Sequence, residues 1–260
     1  MRFAVKRAIA SVNPLPASAG CRVLLYHAID ESTPEDRLGL RVSPAAFREQ
    51  MAWLKEEGFR VVPLGTVGSG TGSDRTVAIT FDDGYASQLT AAAILEGFGF
   101  PATFFVVPDF LDGRAGGGGY WERWGYFDWG ALQRLAACGF EIGAHSASHV
   151  RLTRCRTVRE LEEETLGAKR RLEAAIQREV TSFSYPHSAF NERVVEAVRR
   201  VGYRLACTSL YGVNSAPGSW LFALRRTEIA GSDRLSDFAM KLSGRYDWFH
   251  LWQRWQLARA

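Results

Sequence analysis

The sequence has few cysteines, and no two of them lie close together. The chain of 260 residues contains four, at Cys21, Cys138, Cys155 and Cys207. None forms a C-x-x-C pair, and their density is too low for a disulfide scaffold. We therefore expect reduced thiols.

The amino terminus lacks an uninterrupted apolar run. It reads "MRFAVKRAIASV", and Lys6 and Arg7 break the apolar residues on either side of them. Neither a secretory signal nor a membrane span can form from such a segment. We predict a cytoplasmic chain with no signal peptide or transmembrane helix, in which residues 1–20 are an extension before the folded domain.

Charge of one sign is not concentrated anywhere in the chain. The 32 Lys and Arg residues are scattered among 28 Asp and Glu residues, which leaves a net charge of +4. A nucleic-acid-binding protein gathers its basic residues on one face, so we expect no nucleic-acid partner. Hydrophobic residues make up 47% of the chain, which is enough for the core of one large domain.

Strand-like and helix-like segments alternate through residues 21–235, which we predict to be the catalytic domain. The strand-like runs are "RVLLYHAID", "TVAITF", "ATFFVV", "FEIGAH", "TSFSYP" and "YRLACTS". Between them the sequence predicts helices, one with Ser43 as its cap and another with a capping box of Thr157 and Glu160. About seven such units predict an α/β fold, a distorted (β/α) barrel of about seven parallel strands. In such barrels, chemistry gathers at the carboxyl ends of the strands.

Two adjacent aspartates end one apolar strand, in "VAITFDDGY". Asp82 and Asp83 repel each other, and Gly84 then lets the backbone turn sharply. A solvated turn or a helix cap would explain the segment equally well, because Asp-Gly is common in turns. A bound cation would relieve the repulsion, and one carboxylate could bind it while its neighbour stays free as a base.

Two of the five histidines follow another predicted strand, in "FEIGAHSASH". His145 and His149 are four positions apart, a spacing that places both imidazoles on one side of a helical turn. Two surface histidines are the alternative interpretation. Neutral imidazole is a common zinc ligand, and two histidines with one carboxylate leave coordination positions open for water and substrate. That is the ligand set of a catalytic metal site rather than a structural one.

The two motifs occur together in a specific order. T-F-D-D-G at 80–84 followed by H-S-x-x-H at 145–149, within this βα pattern, resembles the polysaccharide deacetylase family. These proteins are metal-dependent carbohydrate esterases related to the nodulation chitooligosaccharide deacetylase. The resemblance covers about residues 20–230.

The resemblance implies a role for each residue of the two motifs. It implies that Asp83, His145 and His149 hold a divalent metal, and that Asp82 is the general base that accepts a proton from water. Zinc is expected from the ligand types, with cobalt and nickel as alternatives, because this ligand set discriminates weakly between them.

The segment "FSYPHSAF" corresponds to a family motif that resembles R-x-P-x-G. The resemblance aligns Pro186 with its proline and implies that the backbone N–H of His187 donates to the oxyanion. Ser184 stands where the family often has arginine, and Ser188 stands where it often has glycine. This segment therefore departs from the family pattern.

Family members usually take the proton for the leaving amine from a histidine in a late L-x-H motif. This chain has no such late strand, because the only histidine after residue 187 is His250. An L-x-H motif instead ends the first predicted strand, at His27. The chain is thus similar to the circularly permuted branch of the family, which includes poly-N-acetylglucosamine deacetylases, and His27 is the implied general acid.

Aromatic residues near these motifs are further candidates. Trp129 and Tyr185 either wall the acetyl or sugar pocket, because sugars stack on aromatic rings, or pack in the core. Residues 236–260 are predicted to form a C-terminal aromatic helix. The side chains on one face of that helix are Trp248, Leu251, Trp252 and Trp255. This face either packs against the barrel or contacts a membrane surface or a polysaccharide-synthesis partner.

The function implied by these features is a metal-dependent hydrolase. It removes N-acetyl groups from the amino sugars of an oligo- or polysaccharide and releases acetate. One alternative is an amidase or esterase of the same fold with a small N-acetylated substrate. The other is a non-catalytic carbohydrate-binding or complex-forming protein, which would need no set of metal ligands, base and acid.

Overall fold

A computed structural model describes residues 7, 9–10, 20–34, 36–67, 75–114, 124–215 and 221–257, with only the backbone given for 254–257. The predicted extension 1–20 therefore lies almost entirely outside the described residues. The strands are β1 Cys21–Tyr26, β2 Ala28–Ile29, β3 Arg41–Val42, β4 Arg60–Val61, β5 Thr76–Phe81, β6 Thr103–Val106, β7 Glu141–Ala144, β8 Ser182–Ser184, β9 Leu205–Cys207 and β10 Arg226–Glu228. The α-helices are α1 Pro44–Glu56, α2 Gln88–Phe98, α3 Pro108–Leu111, α4 Trp129–Ala137, α5 Val158–Glu162, α6 Ala168–Ile176, α7 Glu192–Arg200, α8 Leu235–Leu242 and α9 Phe249–Leu257.

Seven parallel strands form a nearly closed barrel, as the sequence predicts. Their order is β10-β1-β5-β6-β7-β8-β9, and β4 also pairs in parallel with the start of β5. The gap between β9 and β10 is narrowed by Leu224, whose backbone exchanges hydrogen bonds with Ala206 (2.9 Å) and Thr208 (2.8 Å). The first and last strands of the chain are therefore neighbours in the sheet.

The central strands are buried along their whole length. Every residue of β1 and of β5 is buried, which is the pattern of parallel strands covered on both faces. Because side chains alternate along a strand, Ala78, Thr80 and Asp82 share one face. Apolar side chains near that face form a small cluster that includes Val23, Ala78, Phe105, Leu205 and Cys207.

The helix caps that the sequence predicts are confirmed. The Ser43 hydroxyl accepts a hydrogen bond from the backbone of Ala46, with Pro44 in the first turn of α1. Thr157 and Glu160 form the expected capping box at the start of α5. The predicted long helix is continuous through α5 and α6, but residues Glu163–Gly167 between them form a π-helical turn.

The carboxyl-terminal region adds a short strand and two helices to the barrel. Strand β10 is a late strand that the sequence analysis did not expect, and it carries Arg226 and no histidine. In helix α9, Phe249 is buried, Trp252 is partly exposed and Leu251 is exposed, and Trp248, just before the helix, is also partly exposed. The side chain of Trp255 lies outside the described residues. None of the helices described has the length and apolarity needed to cross a bilayer.

Candidate active site

The predicted motifs meet at one end of the barrel. His27 follows β1, the two aspartates follow β5, and His145 follows β7. A backbone hydrogen bond from Asp82 to Tyr26, 3.0 Å long, joins the ends of β1 and β5. Gln88 strengthens this junction, because its side-chain amide donates to the carbonyl of His27 (3.0 Å) and to that of Asp82 (2.6 Å).

Asp83, His145 and His149 form a compact group of possible metal ligands. Asp83 Oδ1 lies 3.4 Å from His145 Nε2 and 3.3 Å from His149 Nε2. One ligand atom from each residue lies within 4.8 Å of the other two. Asp83 Oδ1 is buried and has no hydrogen-bond partner among the described residues. A buried carboxylate oxygen facing two imidazole nitrogens fits a divalent cation, because the cation would supply the missing partner.

Hydrogen bonds and neighbouring charges set the orientation of His145 and the pKa values of Asp83 and His145. His145 Nδ1 lies 2.8 Å from the carbonyl oxygen of Ser184, so an Nδ1–H would donate there and leave Nε2 facing the ligand group. Burial alone would raise the pKa of Asp83, but the charge of His149 and the two imidazole nitrogens that face the carboxylate hold it well below its usual range. Burial opposes the charged form of His145, yet Asp82 and Asp83 raise its pKa overall.

The loop that joins the two histidines is not the helical turn that their spacing predicts. Ser146 (φ 57°) and His149 (φ 63°) adopt left-handed backbone conformations, which break any helix there. The Ser146 hydroxyl accepts a hydrogen bond of 2.9 Å from the backbone of His149. The two imidazole rings still come together, with centroids 4.9 Å apart, because the bend folds the loop back on itself.

Glu164, in the π-helical turn, holds this loop from outside. Its Oε2 accepts hydrogen bonds from the backbone of Ala147 and of Ser148, both 3.0 Å long, and its Oε1 accepts one from the Ser148 hydroxyl at 2.5 Å. In sequence it is one of several glutamates on a polar helix, so periodicity gave no sign of this contact. The π-helical turn places the carboxylate against the histidine loop.

Asp82 is held by an arginine that the sequence analysis missed. Arg226 Nη1 donates to Asp82 Oδ1 at 2.7 Å, and Nη2 donates to Oδ2 at 2.6 Å. Nη2 also donates to the Ser184 hydroxyl at 2.8 Å. Burial raises the pKa of Asp82, but Arg226 and His145 outweigh that effect and lower it. A serine at 184 thus leaves room for a guanidinium that arrives from β10.

His27 lies at the edge of the same group of residues. Its side chain is partly exposed, and Nδ1 is buried with no hydrogen-bond partner in the part of the chain that the structure describes. Its charge contributes to lowering the pKa of both Asp82 and Asp83, after the larger effects named above. The ring is therefore near both carboxylates and has a nitrogen that no protein group occupies.

The proline segment borders the ligand group. Pro186 is buried, and His187 adopts a left-handed conformation (φ 56°) that brings its ring within 4.6 Å of the His149 ring, measured between centroids. Desolvation in the cleft, together with the charges of His149 and Arg151, lowers the pKa of His187 to about 4, although much of its side-chain surface remains exposed.

The two aromatic candidates, Tyr185 and Trp129, both donate hydrogen bonds to other protein groups. Tyr185 is 1% exposed, and its hydroxyl donates to the carbonyl of Phe222 at 2.9 Å. The indole N–H of Trp129 donates to Asp112 at 2.8 Å, and the ring packs beside the core. Phe110, which the sequence did not single out, instead approaches His149, with ring centroids 5.7 Å apart.

Comparison with known proteins connects this geometry with one family. The sequence model of the polysaccharide deacetylase family matches residues 69–206, more than half of the chain. YxkH of Bacillus subtilis (strain 168), which is named as a polysaccharide deacetylase, is 25% identical over 214 residues, covering 80% of this chain and 71% of that protein.

Two further relatives carry names from the poly-N-acetylglucosamine group. The poly-beta-1,6-N-acetyl-D-glucosamine N-deacetylase of Escherichia coli O157:H7 is 22% identical over 275 residues, or 91% of this chain. The matched region is only 40% of that enzyme's length. The structure of IcaB from Ammonifex degensii superposes with a TM-score of 0.72 at 24% identity, covering 87% of this chain and 98% of that one. This likeness establishes the shared fold.

Proposed function

Because the chain belongs to the polysaccharide deacetylase family, we propose that it removes N-acetyl groups from the amino sugars of an oligo- or polysaccharide. One observation supports the proposal most directly. The carboxylate of Asp82, which accepts two hydrogen bonds from the buried guanidinium of Arg226, lies beside a separate group of one carboxylate and two imidazoles. A binding protein needs neither a held base nor an open ligand group. The reaction consumes water and yields acetate and a free amine.

We assign the metal-holding role to Asp83, His145 and His149. A divalent ion bound there would polarise the acetyl carbonyl and lower the pKa of the attacking water. The two nitrogen ligands and one oxygen ligand favour zinc, while cobalt and nickel also fit such a set.

Asp82 is the proposed general base. Arg226 keeps its carboxylate ionised and fixes both oxygens. Oδ2 also accepts from the Ser184 hydroxyl, so Oδ1 is the oxygen with a lone pair free to accept a proton from water. The backbone N–H of His187 is the proposed donor to the oxyanion that forms when water adds to the acetyl carbon.

His27 is the proposed general acid. The amide nitrogen is a poor leaving group, because without a proton it would depart as an anion. It must therefore be protonated as the C–N bond breaks, so that a free amine leaves. A protonated imidazole beside Asp82 and Asp83 can deliver that proton, and His27 has a ring nitrogen that accepts or donates no hydrogen bond among the described residues. Asp82 and His27 thus divide the proton transfers between them.

Acetate release tests this proposal. The protein is stripped with a chelator, reloaded with zinc, cobalt or nickel, and incubated with N-acetylglucosamine oligomers and with small N-acetylated compounds. We expect metal-dependent release from the oligomers and none from an Asp82→Asn variant. Release from the small compounds alone would favour the amidase or esterase alternative. Metal binding without release from any compound would favour the non-catalytic alternative.

The C-terminal segment is proposed to lie outside the catalytic domain 21–235 and to attach it to a membrane surface or a synthesis partner. The face of α9 toward the barrel is occupied, because Gln253 bonds to the backbone of Ser209 and of Tyr211 at 2.8 and 2.9 Å. Leu251 on another face is 63% exposed. Co-sedimentation with liposomes, compared for the full chain and for one ending at Ser243, tests the membrane contact, and equal sedimentation contradicts it.

A further inference from the structure

A cleft of about 520 Å³ opens beside the proposed metal ligands. His149 and His187 line its inner end, and Arg151 and Arg154 line the wall next to them. Arg151 precedes a short 3₁₀ turn at Leu152–Arg154 and Arg154 ends it, so both lie within five residues of His149 along the chain. Any group bound in this cleft is therefore adjacent to the reacting centre.

The acidic residues of the cleft are already engaged. Glu164 accepts hydrogen bonds from the histidine loop, as described above. Glu160 accepts from the backbone N–H of Arg156 at 2.6 Å, as part of the α5 cap, and Glu163 accepts from Arg159 at 2.9 Å. Each carboxylate keeps its charge, but each already has an oxygen that accepts from a protein donor.

The two arginines are not engaged in this way. In the described part of the chain, no hydrogen bond or ion pair involves the guanidinium of Arg151 or of Arg154. Arg151 is half-buried and Arg154 is exposed, so both guanidinium groups can reach a ligand. Among the charged side chains that line the cleft, these two guanidinium groups are therefore the hydrogen-bond donors that a ligand can reach.

From this arrangement, we propose that the cleft is a substrate subsite for an anionic substituent, a carboxylate or a phosphate, on a sugar next to the N-acetylated one. Guanidinium groups match both anions through paired N–H donors. The inference rests on the proposed function, and it narrows the substrate to an acidic glycan. A neutral polymer would leave both guanidinium groups without a partner.

Matched substrates test the subsite. The zinc-loaded protein is given three N-acetylglucosamine oligosaccharides of equal length: one neutral, one with a neighbouring hexuronic acid, and one with a terminal phosphate. Charge-assisted hydrogen bonds predict kcat/KM about 10-fold higher for at least one of the acidic substrates than for the neutral one. The acidic substrate that is favoured identifies which anion the subsite takes. Sodium chloride should reduce the preference, because the cleft is open to solvent.

Variants locate the effect. In an Arg151→Gln/Arg154→Gln double variant, the acidic-to-neutral ratio of kcat/KM should fall to near one. Arg204→Gln is the matched control, because Arg204 is 69% exposed and precedes β9, at the opposite end of the barrel. An unchanged ratio in the double variant, or a wild-type ratio near one for both acidic substrates, overturns the subsite.

A binding measurement separates the subsite from the proposed reaction. Calorimetry with the Asp82→Asn variant reports affinity for the same three oligosaccharides without turnover. If the wild-type protein releases no acetate while Asp82→Asn still prefers an acidic oligosaccharide through the two arginines, the proposed function fails and the subsite stands. If the wild-type protein cleaves all three equally and Asp82→Asn binds them equally, the subsite fails and the proposed function stands.

Discussion

Replacing Arg226 with methionine should destabilise the protein through one buried carboxylate. Arg226 is fully buried, and its guanidinium donates one hydrogen bond to each oxygen of Asp82. Methionine fills much of the space but leaves the Asp82 charge without its arginine, with only the Ser184 hydroxyl, 3.2 Å from Oδ2, as a remaining hydrogen-bond donor. Breaking a buried ion pair by removing one partner costs about 3–5 kcal/mol, so we expect a loss of that size in the free energy of unfolding.

A double-mutant cycle separates this coupling from ordinary packing. Arg226→Met is made in the wild type and in Asp82→Asn, and urea unfolding is measured for all four proteins in the same metal-free buffer. On the Asp82→Asn background no buried carboxylate is left unpaired, so the cost should fall by about 2 kcal/mol or more. The same cost on both backgrounds would refute our account of the pair.

The metal site provides an independent control for the same variant. Arg226 makes no described hydrogen bond to Asp83, His145 or His149, so Arg226→Met should retain the metal while losing activity. Arg226→Lys keeps a positive charge but cannot donate to both oxygens of Asp82 in the planar arrangement of a guanidinium. Compared with Arg226→Met, it should regain more of the stability than of the activity. Loss of metal in Arg226→Met would mean that the whole strand end has moved.

Four further predictions concern other parts of the molecule. Asp83→Ala should lose the bound metal in elemental analysis while its circular dichroism stays unchanged, and full occupancy would contradict the ligand assignment. Glu164→Ala should weaken zinc affinity roughly 10–100-fold, the usual effect of removing a group that orients a ligand, and Glu164→Gln should weaken it less because it keeps one acceptor oxygen. His27→Ala should keep the metal and lose roughly 10²–10⁴-fold in amide hydrolysis but much less with an aryl acetate, whose leaving group needs little protonation, so equal losses would argue against an acid. A thiol reagent should modify Cys138 in the native protein and the other three cysteines only in urea, because Cys138 is exposed whereas those three are buried, and burial raises their pKa values, to about 12 for Cys21 and Cys207.

The features that could be predicted from the sequence are those that depend on residues close together in the chain. Apolar runs that end in polar residues revealed the strands and their carboxyl ends, and capping residues revealed where helices begin. Asp82, Asp83 and His145 could be found in this way because they come immediately after such runs, and His149 follows four residues later. A parallel barrel then brings these strand ends together.

Features that depend on distant contacts could not be predicted in this way. Strand β10 has three residues, too few for a periodic pattern, and Arg226 meets Asp82 across 144 residues of sequence. In the sequence, Glu164 cannot be distinguished from the exposed glutamates next to it. In the structure, the π-helical turn places its carboxylate against the histidine loop. The left-handed backbone at Ser146 and His149 also has no signal in residue type, because neither is a glycine.

The position of β10 beside β1 has a consequence for how the chain folds. The strand that pairs with the outer edge of β1 and the cation that pairs with Asp82 both come from residues near position 226, while β1 and β5 are synthesised early. Until that late segment emerges from the ribosome, β1 presents an unpaired edge and the aspartate cannot be buried at low cost. We therefore expect the barrel to close late and slowly, with nascent or truncated chains that end before β10 prone to associate through that edge.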